Sequence, residues 1–377
     1  MPETIDELLD KGDSFFTFNQ LDEALVFYNK VTVIDPGNSY AWYKVGLTHN
    51  NLEQYSESLS AYYMAIDIDP FYSEVLNNIG NVLFKLCRYQ ESLLAYERTI
   101  KMRVSDSEVW NNKGNVLFKL GEHEECLSAY NKSLKINPNN YTAWFNKGNA
   151  LYILEHFTES LLAFECAIEI EPTYSMSWYN KGNVLLKLKK YHESLSAYDS
   201  AIAVAPMESK LWYNKGKVLY EICKYTESLF YYESAIRIDP NDPESWNNLG
   251  NVLFKLGKYE ESIIAYNKAL ELKPHQYFSL YNTGNVLYQL GKYKESLSFY
   301  YKAIVKEPNR IFTRLGINLL NSSQKNYEHS MYLCEEAFSI TPDNPEFYKT
   351  LAKYYFELGG FTSFDYKVNE TFQFINL

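Results

Sequence analysis

Apolar residues in this chain recur at helical spacing, in segments of two alternating kinds parted by short polar breaks. In the first kind, Trp144, Gly148 and Leu151 lie at i, i+4 and i+7, which at about 100° per residue is one face of a helix. In the second kind, Tyr198, Ala201 and Ala205 lie at i, i+3 and i+7, again on one face. The alternation keeps strict time. Prolines fall at Pro36, Pro70, Pro138, Pro172, Pro206, Pro240, Pro274, Pro308 and Pro342, every gap being 34 residues except one of 68, where Val104 fills the slot. Glycines from Gly12 to Gly284 and all six tryptophans (Trp42, Trp110, Trp144, Trp178, Trp212 and Trp246) keep the same period. The pattern predicts an internally repeated, all-helical chain.

With repeat position 1 set at Ile5, Ser39, Ser73 and onward, residues 5–344 hold ten full repeats, and 345–377 form a partial eleventh. Each repeat predicts one helix over about positions 1 to 14 and a second over about 18 to 31. Asp242-Pro243 and Asn344-Pro345 read as an N-cap followed by proline at the first helical position. Gly121, Gly257 and Gly291 sit where the first helix should stop. Glutamates from Glu23 to Glu295 occupy the first turn of nine successive second helices, where the helix dipole favours them. Proline then ends the repeat.

The period and these marks resemble the tetratricopeptide repeat family. Trp144, Gly148, Phe157, Phe164, Ala167 and Pro172 fill six of its seven signature positions in one repeat. The departure is position 20, where Ser58 through Ser330, or Cys126, stands in place of alanine. The resemblance implies an all-α, right-handed superhelical solenoid of antiparallel helix pairs, with the first helices lining an inner, concave wall. One such solenoid is expected over 1–377. Arg314 and Asn318 break the signature in repeat ten, and Phe361, Phe364, Val368, Phe372 and Ile375 mark an amphipathic terminal helix, read as a cap or as a docking helix.

The first-helix face turned away from the Trp-Gly stripe holds the candidate site. Position 6 is Asn78, Asn112, Asn146, Asn180, Asn214, Asn248 and Asn282; position 9 is Asn81, Asn115, Asn149, Asn183, Asn251 and Asn285, with Lys217 the exception. Asparagine is a mediocre helix former, so thirteen on one face need a reason. An amide donates and accepts, as a peptide backbone does, so the set could grip an extended peptide. Equally, the amides could bond one another across repeats and fix the pitch, or be copied by repeat duplication. The pattern resembles the asparagine ladder of O-GlcNAc transferases. It departs from chaperone clamps, which place lysine at position 5. Here position 5 holds Phe145, Tyr179 and Tyr213 in the middle repeats; position 12 holds Phe84, Phe118, Tyr152, Tyr220 and Phe254; and position 13 holds Lys85, Lys119, Lys187 and Lys255. These rows are read as an aromatic and basic wall, with the alternative that position 12 packs on the neighbouring helix. The lysines at position 7 (Lys113, Lys147, Lys181, Lys215) are expected to snorkel.

Composition narrows the function. The chain has 377 residues, is 17% aromatic with 35 tyrosines, and carries a formal net charge of −11, which disfavours counterion-driven nucleic-acid binding. Its five cysteines are odd in number and lack CxxC spacing, and are read as reduced thiols buried in the core of a cytoplasmic protein. The N-terminus has neither a basic start nor an apolar run, so no signal peptide is expected, and no apolar stretch is long enough to span a membrane. The six histidines occupy six different repeat phases and form no metal motif. Gly257-Lys258 lacks the spacing and the following Ser or Thr of a P-loop. No cofactor and no catalytic centre are expected. The reading is a non-enzymatic scaffold that binds a protein or peptide partner. The alternative is an accessory subunit of a partner enzyme such as a glycosyltransferase, with end-to-end self-association left open.

Overall fold

The computed structural model describes residues 3–102 and 106–306, all of whose regular elements are α-helices. The chain divides into two compact units, residues 1–204 and 205–377. The first holds α1 (Ile5–Thr17), α2 (Leu21–Ile34), α3 (Ser39–Asn51), α4 (Tyr55–Ile68), α5 (Ser73–Lys85), α6 (Tyr89–Lys101), α7 (Ser107–Leu120), α8 (His123–Ile136), α9 (Tyr141–Ile153), α10 (Phe157–Ile170), α11 (Ser175–Lys187) and α12 (Tyr191–Val204). The second holds α13 (Ser209–Glu221), α14 (Tyr225–Ile238), α15 (Pro243–Lys255), α16 (Tyr259–Leu272), α17 (Tyr277–Gln289) and α18 (Tyr293–Lys306). Within each unit, odd and even helices pair antiparallel, and each pair packs on the next, as in a helical solenoid. The degenerate tenth repeat, the terminal helix and Val104 lie outside the described residues.

Local chemistry sets the helix ends. Thr4 and Glu7 form a reciprocal capping box on α1, and Asn38, Asn140 and Asp242 cap α3, α9 and α15 through their side chains. Each first helix stops in a left-handed residue, which a glycine adopts at no steric cost. Gly121, Gly257 and Gly291 do so as expected, but Asn19, Glu53, Cys87, Glu155, Lys189 and Cys223 adopt the same conformation at φ of 58–61°. The turn is held by paired bonds, for example Glu53 N–H to the Asn50 carbonyl at 3.1 Å and Gln54 N–H to that of His49 at 2.9 Å. Those bonds recur in every described repeat, so the backbone is fixed even where the side chain disfavours it.

Three contacts explain the repeat signature. A Cβ on Gly80 would stand 2.7 Å from the Tyr96 ring, and one on Gly148 would stand 2.8 Å from that of Phe164, so only glycine lets the second-helix aromatic lie flat on the first helix. The tryptophan indole N–H reaches back to the proline carbonyl of the preceding repeat, Trp144 to Pro138 and Trp178 to Pro172, at 2.9 and 3.0 Å. The serine that replaces the family's alanine at position 20 is buried and donates to the carbonyl of the packing glycine, as Ser92 does to Gly80 at 2.7 Å and Ser262 to Gly250 at 2.8 Å. A small residue is still required there, and the hydroxyl adds a cross-helix hydrogen bond.

The position-7 lysines run along their tryptophans. Lys113 lies over the Trp110 ring and reaches Glu97 at 2.8 Å, and Lys181 lies over Trp178 and reaches Glu165 at 2.9 Å. Lys215 differs: it is buried and donates to the Tyr231 hydroxyl at 2.8 Å.

Candidate functional site

The asparagines are half-buried rather than fully open. Their first job is internal. The position-24 tyrosine, whose ring lies on the glycine, donates its hydroxyl to the position-9 asparagine of the same repeat. Tyr96 does so to Asn81 at 2.6 Å, Tyr130 to Asn115 at 2.9 Å, Tyr198 to Asn183 at 2.7 Å, Tyr266 to Asn251 at 2.7 Å and Tyr300 to Asn285 at 2.9 Å. The next repeat's position-6 amide then donates to the same oxygen: Asn112 to Asn81 at 3.2 Å and Asn282 to Asn251 at 2.9 Å. Asn180 likewise donates to Asn149 at 2.8 Å, where Phe164 has no hydroxyl to offer. Three of the position-6 amides donate elsewhere. Asn146 donates to Asn111, and Asn248 to the Tyr213 hydroxyl. Asn214 donates to the Lys210 carbonyl of its own helix. Asn78 and Asn248 accept from the position-9 amides one turn on, at 3.5 and 3.1 Å. The helical-face reading did not reveal the tyrosine hydroxyls as partners. The signal was the constant 15-residue offset between tyrosine and asparagine.

Position 5 is set into the helix pair rather than open on the wall. Phe145 packs on Phe164 with centroids 5.8 Å apart, Tyr179 on Tyr198 at 6.0 Å and Tyr213 on Tyr232 at 5.7 Å, and Tyr179 keeps only 8% exposure. The cause is geometric: the flat ring at position 24 lies beneath position 5 as well as beneath the glycine. Position 12 is half-buried. Tyr152 packs on Phe157 at 5.6 Å and Tyr220 on Tyr225 at 5.4 Å, each with one side of the ring engaged. Lys119 and Lys187 are exposed.

The second unit gathers these rows into a cleft of about 150 Å³ lined by Tyr220 of α13, Asn251, Phe254 and Lys255 of α15, Tyr266 of α16, and Asn282 and Asn285 of α17. Of the expected site, Tyr220, Asn251, Asn282 and Asn285 come together here; Asn214, Asn248 and Tyr213 share the unit but do not line the cleft. Asn78, Asn81, Asn112, Asn115, Asn146, Asn149, Asn180, Asn183, Phe145, Tyr152, Tyr179, Lys119 and Lys187 belong to the first unit. Burial pushes the Tyr266 hydroxyl far above its ordinary pKa, so it stays a neutral donor and holds the Asn251 oxygen. Burial also raises Tyr220, with the Cys223 thiol adding to the effect. Among the described residues, no protein partner engages the Asn282 oxygen, the Asn285 amide nitrogen, the Tyr220 hydroxyl or the Lys255 ammonium. The cleft thus offers an acceptor, two donors and a cation beside two aromatic edges.

Models of the tetratricopeptide repeat match residues 107–140 and 243–276, 129–161 and 163–196, and 39–72, and a TPR repeat model matches 224–257. Three of these matches start at the first residue of a first helix, the one at 224 starts just before the second helix α14, and those at 129 and 163 start inside a second helix, as a continuous periodic chain allows. The chain is a tetratricopeptide-repeat protein. No curated protein matches it. Among solved structures, this TPR protein is similar to the C-terminal part of a TPR repeat-containing protein from Cytophaga hutchinsonii, at 18% identity and a TM-score of 0.50 over 63% of this chain and 98% of that one. It is also similar to pilF of Pseudomonas aeruginosa (17% identity, TM-score 0.47, 54% of this chain and 92% of that one). YrrB, described as a TPR protein with an unusual peptide-binding site, matches at 20% identity and a TM-score of 0.42 over 48% of this chain and 92% of YrrB. Among the described residues, no group of three or more His, Cys, Asp or Glu could hold a metal ion, and no helix is long and apolar enough to cross a membrane.

Proposed function

We propose that this TPR protein is a scaffold that holds an extended peptide segment of a partner protein along its asparagine-lined first helices. The observation that carries the reading is the cleft of the second unit, where the unpaired Asn282 oxygen and Asn285 amide nitrogen stand beside Tyr220 and Phe254. An acceptor and a donor on successive turns of α17 match the alternating N–H and C=O of an extended chain, and an amide grip of this kind does not depend on the ligand's side chains. The tyrosine and asparagine bonds beneath hold the cleft amides in place before a ligand arrives, which lowers the entropic cost of binding. The likeness to the asparagine ladder of O-GlcNAc transferases belongs to this reading and supplies no partner by itself.

The test is Asn285→Asp. Aspartate keeps an oxygen for Tyr300, as Asp13 does for Tyr28 in the first repeat at 2.6 Å, and puts a charged acceptor in place of the free donor. We expect an unchanged helical fold and a loss of captured-peptide affinity of about 0.5–1.5 kcal/mol, read by calorimetry. Full affinity in a folded variant would remove Asn285 from the site.

A further inference from the structure

We infer that the second-unit cleft selects a glutamate within the bound segment, its carboxylate on Lys255 and its aliphatic stem between Tyr220 and Phe254. The inference deepens the scaffold reading and rests on it. Lys255 is the one charged residue in the lining. Three other lysines of this unit already have carboxylates: Lys224 pairs with Glu227 at 2.9 Å, Lys258 with Glu261 at 3.3 Å and Lys268 with Glu271 at 2.5 Å. Lys255 forms no such pair among the described residues, although exposed Glu221 follows Tyr220 on α13. Glu244, the other first-helix acid described in this unit, is engaged by the Gln276 amide at 2.8 Å.

A second cation stands close by. Lys217 precedes Tyr220 by three residues on the same face of α13 and occupies the position that is asparagine in Asn251 and Asn285. It is exposed and also forms no ion pair among the described residues. Two unpaired ammonium groups therefore flank Tyr220 on the wall of a chain whose net charge is −11. Complementarity of this kind fixes the register of a bound chain more than its raw affinity. The volume of about 150 Å³ takes one side chain, not a folded partner.

The experiment pans the full chain against random short peptides with amidated C-termini, with a parallel arm whose C-termini are free. Wild type is expected to enrich glutamate at one fixed position, and Lys255→Glu to switch that position to lysine or arginine. For one selected peptide, Lys255→Ala should weaken binding by up to about fivefold, and Lys217→Asn by about twofold, both effects shrinking in high salt. Circular dichroism of the variants checks the fold, and Lys217→Asn restores what neighbouring repeats already carry. An enriched residue that is apolar, or that Lys255→Glu leaves unchanged, overturns the inference and leaves the scaffold reading standing. Enrichment confined to free C-termini overturns it too, in favour of terminal-carboxylate capture. No enrichment by wild type in either arm overturns both.

Discussion

At the residue scale, one hydroxyl links packing to the candidate site. Tyr266 fills the core with its ring, which a Cβ on Gly250 would meet at 2.5 Å, and steadies Asn251 with its hydroxyl. The residue is therefore both core and support, and the two roles can be separated. Tyr266→Phe keeps the ring and leaves the Asn251 oxygen with the Asn282 bond alone, the arrangement already found where Phe164 leaves the Asn149 oxygen to Asn180. We expect a stability loss of about 1 kcal/mol in urea denaturation, with helix content unchanged. A loss several times larger would mean that the hydroxyl has partners besides Asn251. Tyr62 shows the reverse case. Its repeat carries Leu47 at the asparagine position, and its buried hydroxyl has no partner among the described residues.

At the element scale, the helix-to-helix turn is more uniform than its residues. Gly121, Gly257 and Gly291 meet the left-handed requirement without strain, whereas Glu155 and Lys189 meet it at φ of 61° and 58° with a Cβ in the way. Replacing either by glycine relieves that strain. Glu155→Gly and Lys189→Gly should each stabilise the first unit by about 0.5–1 kcal/mol, seen as a raised thermal midpoint. A fall in midpoint would show that the side chains contribute more than the turn costs. The same turn at Cys87 and Cys223 explains why two of the cysteines are exposed rather than buried, contrary to their reading as core thiols.

At the scale of the whole molecule, the tyrosines couple stability to pH. Burial raises the hydroxyls of Tyr28, Tyr62, Tyr96, Tyr130, Tyr232, Tyr266 and Tyr300 well above the ordinary value near 10, and lifts Tyr72 to about 12. A pKa raised on folding means that the folded state holds the proton more tightly. The associated stability is complete below pH 10 and is lost as pH rises through the folded values. An alkaline titration should therefore show helix loss and tyrosinate absorbance rising together above pH 10, after an earlier rise from exposed rings. Tyrosinate formed in full near pH 10 with helices intact would contradict this. In acid, Asp13 gives the opposite sign. Burial raises its pKa, but bonds from Lys44, Tyr28 and Tyr40 outweigh that and hold it low, so its contribution is lost as pH falls below about 4.

The sequence by itself determined the helices, their period and their ends, because each is written locally and repeated: Trp144 and Gly148 on one face, Asp242 before Pro243, Gly121 after α7. It also placed the asparagines on one face, since helical spacing alone fixes that. What it left open was what those amides touch. Position 5 shares a sector with position 6 on a helical wheel, yet Tyr179 is covered by Tyr198 while Asn180 remains half-buried, a difference made by the ring on the adjacent helix. Asn112 and Asn146 are equivalent in sequence, but one turns to Asn81 and the other to Asn111. Hydrogen-bond choice depends on side chains 31 or 35 residues away, and only tertiary packing brings those within reach.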